Sequence, residues 1–310
     1  MRQSHKSIDF AIGIDGGGSK TLAVVVDAHG REVGRGLAGS ANYIAVGLTQ
    51  AVRNIYAAAE EAARNADCHL PLDAAWLGLA GLDRPDDHRL LLPHMDTLAK
   101  VVCLVNDGEL LLSGLDNAVG VALISGTGSI ALGCSAGGSV VRAGGWGHVL
   151  GDEGSGYEIG RLGLQAAVRA ADGRGPATVL LERILQYWQI EDPSDIIGRT
   201  YTGHDEKAKI ASLSKLIFAA ARSGDRVALD IVQHAVDELA LAVVTVATKL
   251  GFAEHGIPLA LGGGLLVNEV DFRAQVLASI ARQRKLGQVA IVEEPASTAA
   301  RAALTLDQPT

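Results

Sequence analysis

Three glycine-rich stretches carry the residue types that phosphate chemistry needs. They are Gly13-Ile-Asp15-Gly16-Gly17-Gly18-Ser19-Lys20-Thr21, then Gly126-Thr127-Gly128-Ser129, then Gly262-Gly263-Gly264. Glycines let the backbone approach a ligand closely and turn successive N–H groups inward, which makes a nest for an anion. Ser19, Thr127 and Ser129 add hydroxyl donors. Asp15, ahead of the first turn, is placed to hold a hydrated Mg²⁺, which takes carboxylate and water oxygens. Two familiar phosphate motifs are excluded. A P-loop needs lysine directly after its second glycine and opens a helix. Here Ser19 takes that place, and Leu22–Asp27 is β-branched and strand-like. Gly126-x-Gly128-x-x-Ala131 is half a dinucleotide fingerprint, and it too runs into a strand instead of a helix. The device that remains is a tight hairpin turn. One glycine turn is an ordinary hairpin; equivalent turns in two modules, with a third after another strand, point to a ligand.

Those turns need elements to hold them. Phe10–Asp15, Leu22–Asp27 and Glu32–Leu37 read as strands, Ala51–Ala66 as a helix, Trp76–Ala80 as a strand, His88–Ala99 as a helix and Val101–Val105 as a strand, followed by a short helix at Glu109–Leu115. The pattern then restarts with strands at Val119–Ser125, Ile130–Cys134 and Ser139–Arg142. The two hairpin modules lie about 110 residues apart, a repeat that predicts two similar domains with a cleft between them. Helices follow at Ser155–Ala171, Ala177–Gln186, Lys207–Ser223 and Asp225–Leu250. Pro258–Leu261 reads as a strand, Asp271–Arg284 as a helix, Val289–Val292 as a strand and Thr298–Leu304 as a last helix. The expected division is 1–117 and 118–310, with the last helix packing back on the first domain as an alternative.

Composition narrows the function classes. The 310 residues suit two domains of an α/β protein. Net charge is −8, with no dense basic run, which argues against a nucleic-acid partner. No apolar stretch approaches the roughly 20 residues of a spanning helix, and the polar start is not a signal peptide, so a cytoplasmic protein with no membrane partner is expected. Cys68, Cys103 and Cys134 are odd in number and far apart, which argues against disulfides, structural zinc and a local iron–sulfur cradle.

The first and second turns, with the string Gly-Gly-Trp-Gly-His-Val-Leu-Gly-Asp-Glu-Gly-Ser-Gly (Gly144–Gly156) and Leu-Gly-Gly-Gly-Leu (Leu261–Leu265), resemble the BadF/BadG/BcrA/BcrD type of ATPase domain. That type lies within the sugar-kinase and actin superfamily and includes the N-acetylglucosamine kinases. The resemblance covers nearly the whole chain. It implies two RNase H-like domains of the actin/hexokinase type, with ATP and sugar in an interdomain cleft, and a homodimer. It places Gly17, Gly18 and Ser19 on one phosphate turn and Gly126, Thr127 and Gly128 on the other. Gly262, Gly263 and Gly264 fall in the adenosine motif. Asn42, Gly145, Trp146 and Asp152 match sugar contacts, and Asp107 matches the catalytic base.

Each of these has a plainer alternative. Asp107 at a strand end could cap the helix predicted at Glu109–Leu115; its place at the end of the last strand of the first module favours orienting and deprotonating an attacking hydroxyl. Asp152 and Glu153 could serve a helix dipole, yet the glycines around them exceed what a cap needs. Trp146 could be core, or a surface for a sugar ring. His148 reads as structural, Lys20 as a surface residue, and His204 and His234 as surface and packing residues. The expected function is ATP- and Mg²⁺-dependent phosphorylation of the 6-hydroxyl of an amino sugar, N-acetylglucosamine ahead of glucosamine. The alternatives are an ATP-driven activator of an acyl-CoA dehydratase, disfavoured because no cysteine follows Cys134, and a non-catalytic sugar sensor.

Overall fold

The computed structural model describes residues 8–82, 84–202, 205–252 and 256–306; His204 lies outside them. The chain divides into two compact units, Met1–Val119 with Val292–Thr310, and Gly120–Ile291. The segment from Val292, which chain order counts with residues 118–310, thus groups with the first unit.

The first unit opens with an antiparallel meander of β1 (Phe10–Gly16), β2 (Thr21–Asp27) and β3 (Glu32–Ala38). Then α1 (Tyr43–Val46) and α2 (Leu48–Asn65) lead to β4 (Leu72–Leu79), and α3 (Pro85–Leu91) leads to β5 (Ala99–Asn106). β4 joins β1 in parallel and β5 joins β4 in parallel, giving the order β3-β2-β1-β4-β5.

The second unit repeats this plan. A meander of β6 (Gly120–Ser125), β7 (Ser129–Cys134) and β8 (Val140–Gly144) is followed by six helices. These are α4 (Gly156–Ala171), α5 (Leu180–Trp188), α6 (Asp195–Tyr201), α7 (Glu206–Ser212), α8 (Ser214–Arg222) and α9 (Arg226–Lys249). Then come β9 (Ile257–Gly262), α10 (Gly264–Asn268), α11 (Val270–Gln283) and β10 (Leu286–Ile291). The order β10-β9-β6-β7-β8 is the first sheet's order read from the other edge. Each unit therefore has the RNase H-like arrangement that the family resemblance implies: three antiparallel strands, then two added in parallel through helical crossovers.

Small residues let helices sit close to the first sheet. The buried side of α2 is Ala51, Ile55, Ala58, Ala59, Ala62 and Ala63. A Cβ on Gly34 would stand 2.1 Å from the Ala62 carbonyl oxygen, and one on Gly36 2.1 Å from that of Ala58. After β10 the chain enters α12 (Pro295–Ala303), whose Ala296, Ala299, Ala300 and Ala303 are buried in the first unit. Arg35 on β3 holds the start of α12 with a two-pronged bond to Glu294, at 2.7 and 2.8 Å. In the second unit α9 forms much of the core, with Ile231, Val232, Val236, Leu239 and Val243 buried. Among the described residues no helix is long and apolar enough to cross a membrane.

Three helical expectations differ in detail. The helix predicted at His88–Ala99 ends at Leu91, continues as a 3₁₀ turn over Leu92–Met95, and gives way to β5 at Ala99. Pro93 supplies no N–H to extend the helix. The helix predicted over Lys207–Ser223 breaks at Leu213, where the Ser212 and Ser214 hydroxyls take the Lys209 and Ala211 carbonyls. The unforeseen α6 is short and shows little periodicity; it is held by Ile196, which packs in the core.

Gly13 tests the close packing. Its Cβ would stand 2.0 Å from the Ala296 carbonyl oxygen and 2.3 Å from the Ala300 nitrogen, both backbone atoms. Gly18 has nothing within 4 Å of such a carbon. Gly13→Ala should therefore destabilise by about 1–3 kcal/mol in denaturant melts, as overpacked sites do, while Gly18→Ala stays within about 0.5 kcal/mol of the parent. Equal stability of the two variants would refute the account.

Candidate active site

In the first unit the carboxyl ends of β1, β4 and β5 form one edge. Gly16, Leu79 and Asn106 lie in register across it. Asp15 precedes that line on β1 and Asp107 follows it beyond β5. They are two strand spacings apart, about 10 Å. The carboxyl ends of parallel strands are where α/β sheets present ligand sites.

Burial, and after it the negative charge of Asp107, pushes the Asp15 carboxyl up to about 6. Lys20 opposes the shift and Glu294 adds to it. The two carboxylates thus feel each other across the sheet edge. Asp107 does not cap a helix in the expected way. Its Oδ1 accepts the adjacent Gly108 N–H at 2.9 Å, a bond shared with Asn106 Oδ1, and the following 3₁₀ turn begins at Glu109.

The 17–20 turn is closed by Gly17 N–H donating to the Lys20 carbonyl at 2.9 Å. Gly18 and Ser19 are exposed at its tip. The segment carrying Asn42 is stitched beneath it. The Ser40 hydroxyl and the Ala41 N–H both donate to the Gly17 carbonyl, at 3.2 and 3.3 Å. Asn42 Oδ1 accepts the N–H groups of Ile44 and Ala45, capping α1. Among the described residues its Nδ2 makes no hydrogen bond, while Oδ1 also lies 2.9 Å from where a Cβ on Gly81 would stand.

The second unit places its two glycine turns side by side. β6 and β9 are parallel, with Ile124 opposite Gly262. Gly263 has φ +86°, and a Cβ there would stand 2.5 Å from the Ser125 carbonyl oxygen. A Cβ on Gly126 would stand 3.5 Å from the Gly264 nitrogen. The 126–129 turn is held from below by α4, whose Gly156 and Tyr157 N–H groups donate to the Gly126 and Thr127 carbonyls at 2.8 and 3.3 Å. That leaves Thr127 exposed at the tip. Among the described residues no side-chain hydrogen bond occupies the hydroxyl of Thr127 or of Ser19. Ser129 is different: its hydroxyl donates inward to the Glu153 carbonyl at 2.7 Å, so it is not the free donor the sequence suggests.

Asp152 lies directly against this turn, with 4% of its surface exposed and φ +63°. Its Oδ1 accepts the Ser129 N–H at 3.1 Å and its Oδ2 accepts the Lys207 ammonium at 2.9 Å. Lys207 escaped the sequence reading: it sits 55 residues further on, in a helix with no motif. Trp146 is 63% exposed, with the Arg142 guanidinium 4.6 Å from its ring centre. It lines a cavity of about 280 Å³ with Ile130, Gly144, Glu153, Glu238 and Leu239. Gly145, φ +70°, packs on Ile130 in the same wall. His148 stacks edge-on to Tyr157 at 5.0 Å, a structural contact.

Comparison with known proteins fits this picture. The chain is 33% identical over 263 residues to the N-acetylmuramic acid/N-acetylglucosamine kinase of Clostridium acetobutylicum, covering 84% of this chain and 86% of that one. It is 33% identical over 273 residues to the N-acetyl-D-glucosamine kinase of Dictyostelium discoideum, covering 83% and 86%. A candidate N-acetylglucosamine kinase solved from Chromobacterium violaceum shares the fold, with a TM-score of 0.67 at 24% identity over 96% of this chain and 99% of that one. The family model for the BadF/BadG/BcrA/BcrD ATPases matches residues 12–300, and the chain, with its two RNase H-like units and their glycine turns, belongs to that family.

Proposed function

We propose that this chain is an ATP-dependent amino-sugar kinase that phosphorylates the 6-hydroxyl of N-acetylglucosamine, with glucosamine as the second candidate. The observation that carries the reading is the pairing of Asp15 and Asp107 at the carboxyl edge of one sheet, beside an exposed glycine turn. The names of the relatives support it. In this reading Asn42 Nδ2 donates to a sugar hydroxyl, and Gly145 and Trp146 contribute to sugar binding. Asp107 accepts the 6-hydroxyl proton as that oxygen bonds to the γ-phosphorus and the bond to the ADP oxygen breaks. Mg²⁺, held through water by Asp15, would screen the transferred charge. Gly17, Gly18 and Ser19 form one phosphate turn and Gly126, Thr127 and Gly128 another; the Gly17 and Gly126 N–H groups close the turns, and the Ser19 and Thr127 hydroxyls serve as donors. Gly262, Gly263 and Gly264 serve the adenosine. A cytoplasmic homodimer belongs to the same reading. The dehydratase-activator alternative has no support from the three separate cysteines. Incubation with ATP and a panel of sugars, read by ADP release and product mass, tests the whole. A panel without an accepted amino sugar would overturn it.

Three variants probe individual roles. Asp107→Asn should lower kcat by about 10²–10⁴ while ATP binding is kept, because an amide cannot take the proton. More than a tenth of the parent kcat would sink the assignment. Thr127→Val should weaken ATP and not the sugar by the loss of one charge-assisted hydrogen bond, about 1.5–3 kcal/mol. Calorimetry showing equal loss for both ligands would make the turn merely structural.

Asp15 gives a pH signature in metal-free buffer. Its carboxyl lies near 3.8 when unfolded and at about 6 in the fold. Between those values the folded chain keeps a proton that the unfolded chain releases, so stability falls as pH rises through the window. Asp15→Asn should therefore be more stable than the parent at pH 8, by up to about 3 kcal/mol, with the gap closing toward pH 4. A gap that does not change with pH would contradict this.

A further inference from the structure

We propose that Tyr43 and Asp87 are positioning residues for Asn42, the hydroxyl of one bonded to the carboxylate of the other; the proposal rests on the kinase reading, in which Asn42 Nδ2 donates to a sugar hydroxyl.

Asn42 opens α1, and α1 cannot hold itself. It is one turn of 4 residues, none of them buried. So short a helix is marginal in water without tertiary support. Asn42 commits its Oδ1 to that turn, through the Ile44 and Ala45 N–H groups. Where its Nδ2 points is therefore set by where the turn sits. The chain before Asn42 has anchors of its own. Asn54 Nδ2 donates to the Ser40 carbonyl at 2.6 Å, and Ser40 and Ala41 both donate to the Gly17 carbonyl. The chain after Asn42 is fastened by Tyr43. Its ring packs against the core of the first unit, and its hydroxyl donates to Asp87 Oδ1 on α3 at 2.5 Å.

Asp87 is a firm acceptor. Only 3% of its surface is exposed. Its Oδ2 accepts the Arg84 N–H at 2.8 Å, which closes the start of α3, and the Arg84 guanidinium reaches the two oxygens at 3.3 and 3.4 Å. The Tyr43 hydroxyl first, and the Arg84 groups with it, hold this carboxyl down at about 2 against the effect of burial. A hydroxyl bonded to a carboxylate makes a short, strong bond. The loop ahead of α3 adds a second contact. A Cβ on Gly81 would stand 2.9 Å from Asn42 Oδ1 and 3.2 Å from Ile44 Cδ1. Two holds on adjacent residues fix the orientation of the turn as well as its place. Both come from the chain that leaves β4, the strand between β1 and β5. Asn42 is thereby referred to the sheet edge that carries Asp15 and Asp107. With the hydroxyl removed, the turn is free to pivot about the anchored Ser40 and Ala41, and Nδ2 moves with it.

The test is steady-state kinetics with N-acetylglucosamine and glucosamine, and ATP calorimetry, on the full chain. Tyr43→Phe keeps the ring and loses the bond. It should raise the KM of the accepted sugar by about tenfold, the worth of a charge-assisted bond. Its kcat should stay within about threefold and its ATP dissociation constant within about twofold of the parent. A merely structural loss would lower the active fraction, and with it kcat, and leave KM alone. Asp87→Ala should match Tyr43→Phe, and Asp87→Asn, which keeps an oxygen for the hydroxyl, should bring KM back to within about threefold of the parent. In an Asn42→Ala background, Tyr43→Phe should add less than about twofold to KM, because no amide remains to position. Should Asp87→Ala not fold, the two Tyr43→Phe comparisons carry the test. A parent-like sugar KM in Tyr43→Phe, an equal loss of ATP, or additive effects with Asn42→Ala would each overturn the proposal. A parent that phosphorylates no amino sugar overturns the kinase reading with it. A parent active on an amino sugar, weakened by Asn42→Ala and indifferent to Tyr43→Phe, overturns this inference alone.

Discussion

Helices and turns in both units rest on glycine at backbone distance. A Cβ on Gly13 would meet the backbone of α12, those on Gly34 and Gly36 the backbone of α2, and that on Gly160 the backbone of α7. Contacts this short exist only where the side chain vanishes on one side, and on the first sheet the other side shrinks to alanine. This is why α2 and α12 present alanines to the first sheet, and why the chain needs only 4% aromatic residues to fill its core. Dense packing without large side chains leaves little slack, because interiors resist even small changes of volume. The turns at the strand ends inherit that stiffness.

Electrostatics is arranged differently in the two units. In the first, Asp15 and Asp107 oppose each other at the sheet edge, and burial makes their charge costlier still. The two charges thus raise each other's cost at that edge. In the second unit the carboxylate is neutralised. Asp152 is bonded to an amide and an ammonium beside the turn.

The glycine turns share one design. Their carbonyls are held from beneath, Gly17 by Ser40 and Ala41, Gly126 and Thr127 by the first N–H groups of α4. With the carbonyls committed downward, the tips present N–H groups and the exposed hydroxyls of Ser19 and Thr127. A turn built this way favours anions without needing a cationic side chain in it.

Much of this was legible in the sequence. The two hairpin modules and their repeat were there to read, while the strand order and parallel pairing appear only in the fold. The glycine turns and Asp15 stood out by residue type and spacing, and Asp107 by its match to the family motif. Period, propensity and turn chemistry are local, and local signals survive in one dimension. Tertiary structure decided the rest. Ser129 and Thr127 look alike in sequence, but strand alternation and the approach of Glu153 turn one inward and leave the other exposed. Asp152 matched a sugar contact by motif, and the fold adds that its oxygens meet an amide and an ammonium. The ammonium comes from Lys207, 55 residues away in a helix with no pattern of its own. A buried charge finds its partner in space, and the chain's order holds no record of that distance until the helices pack.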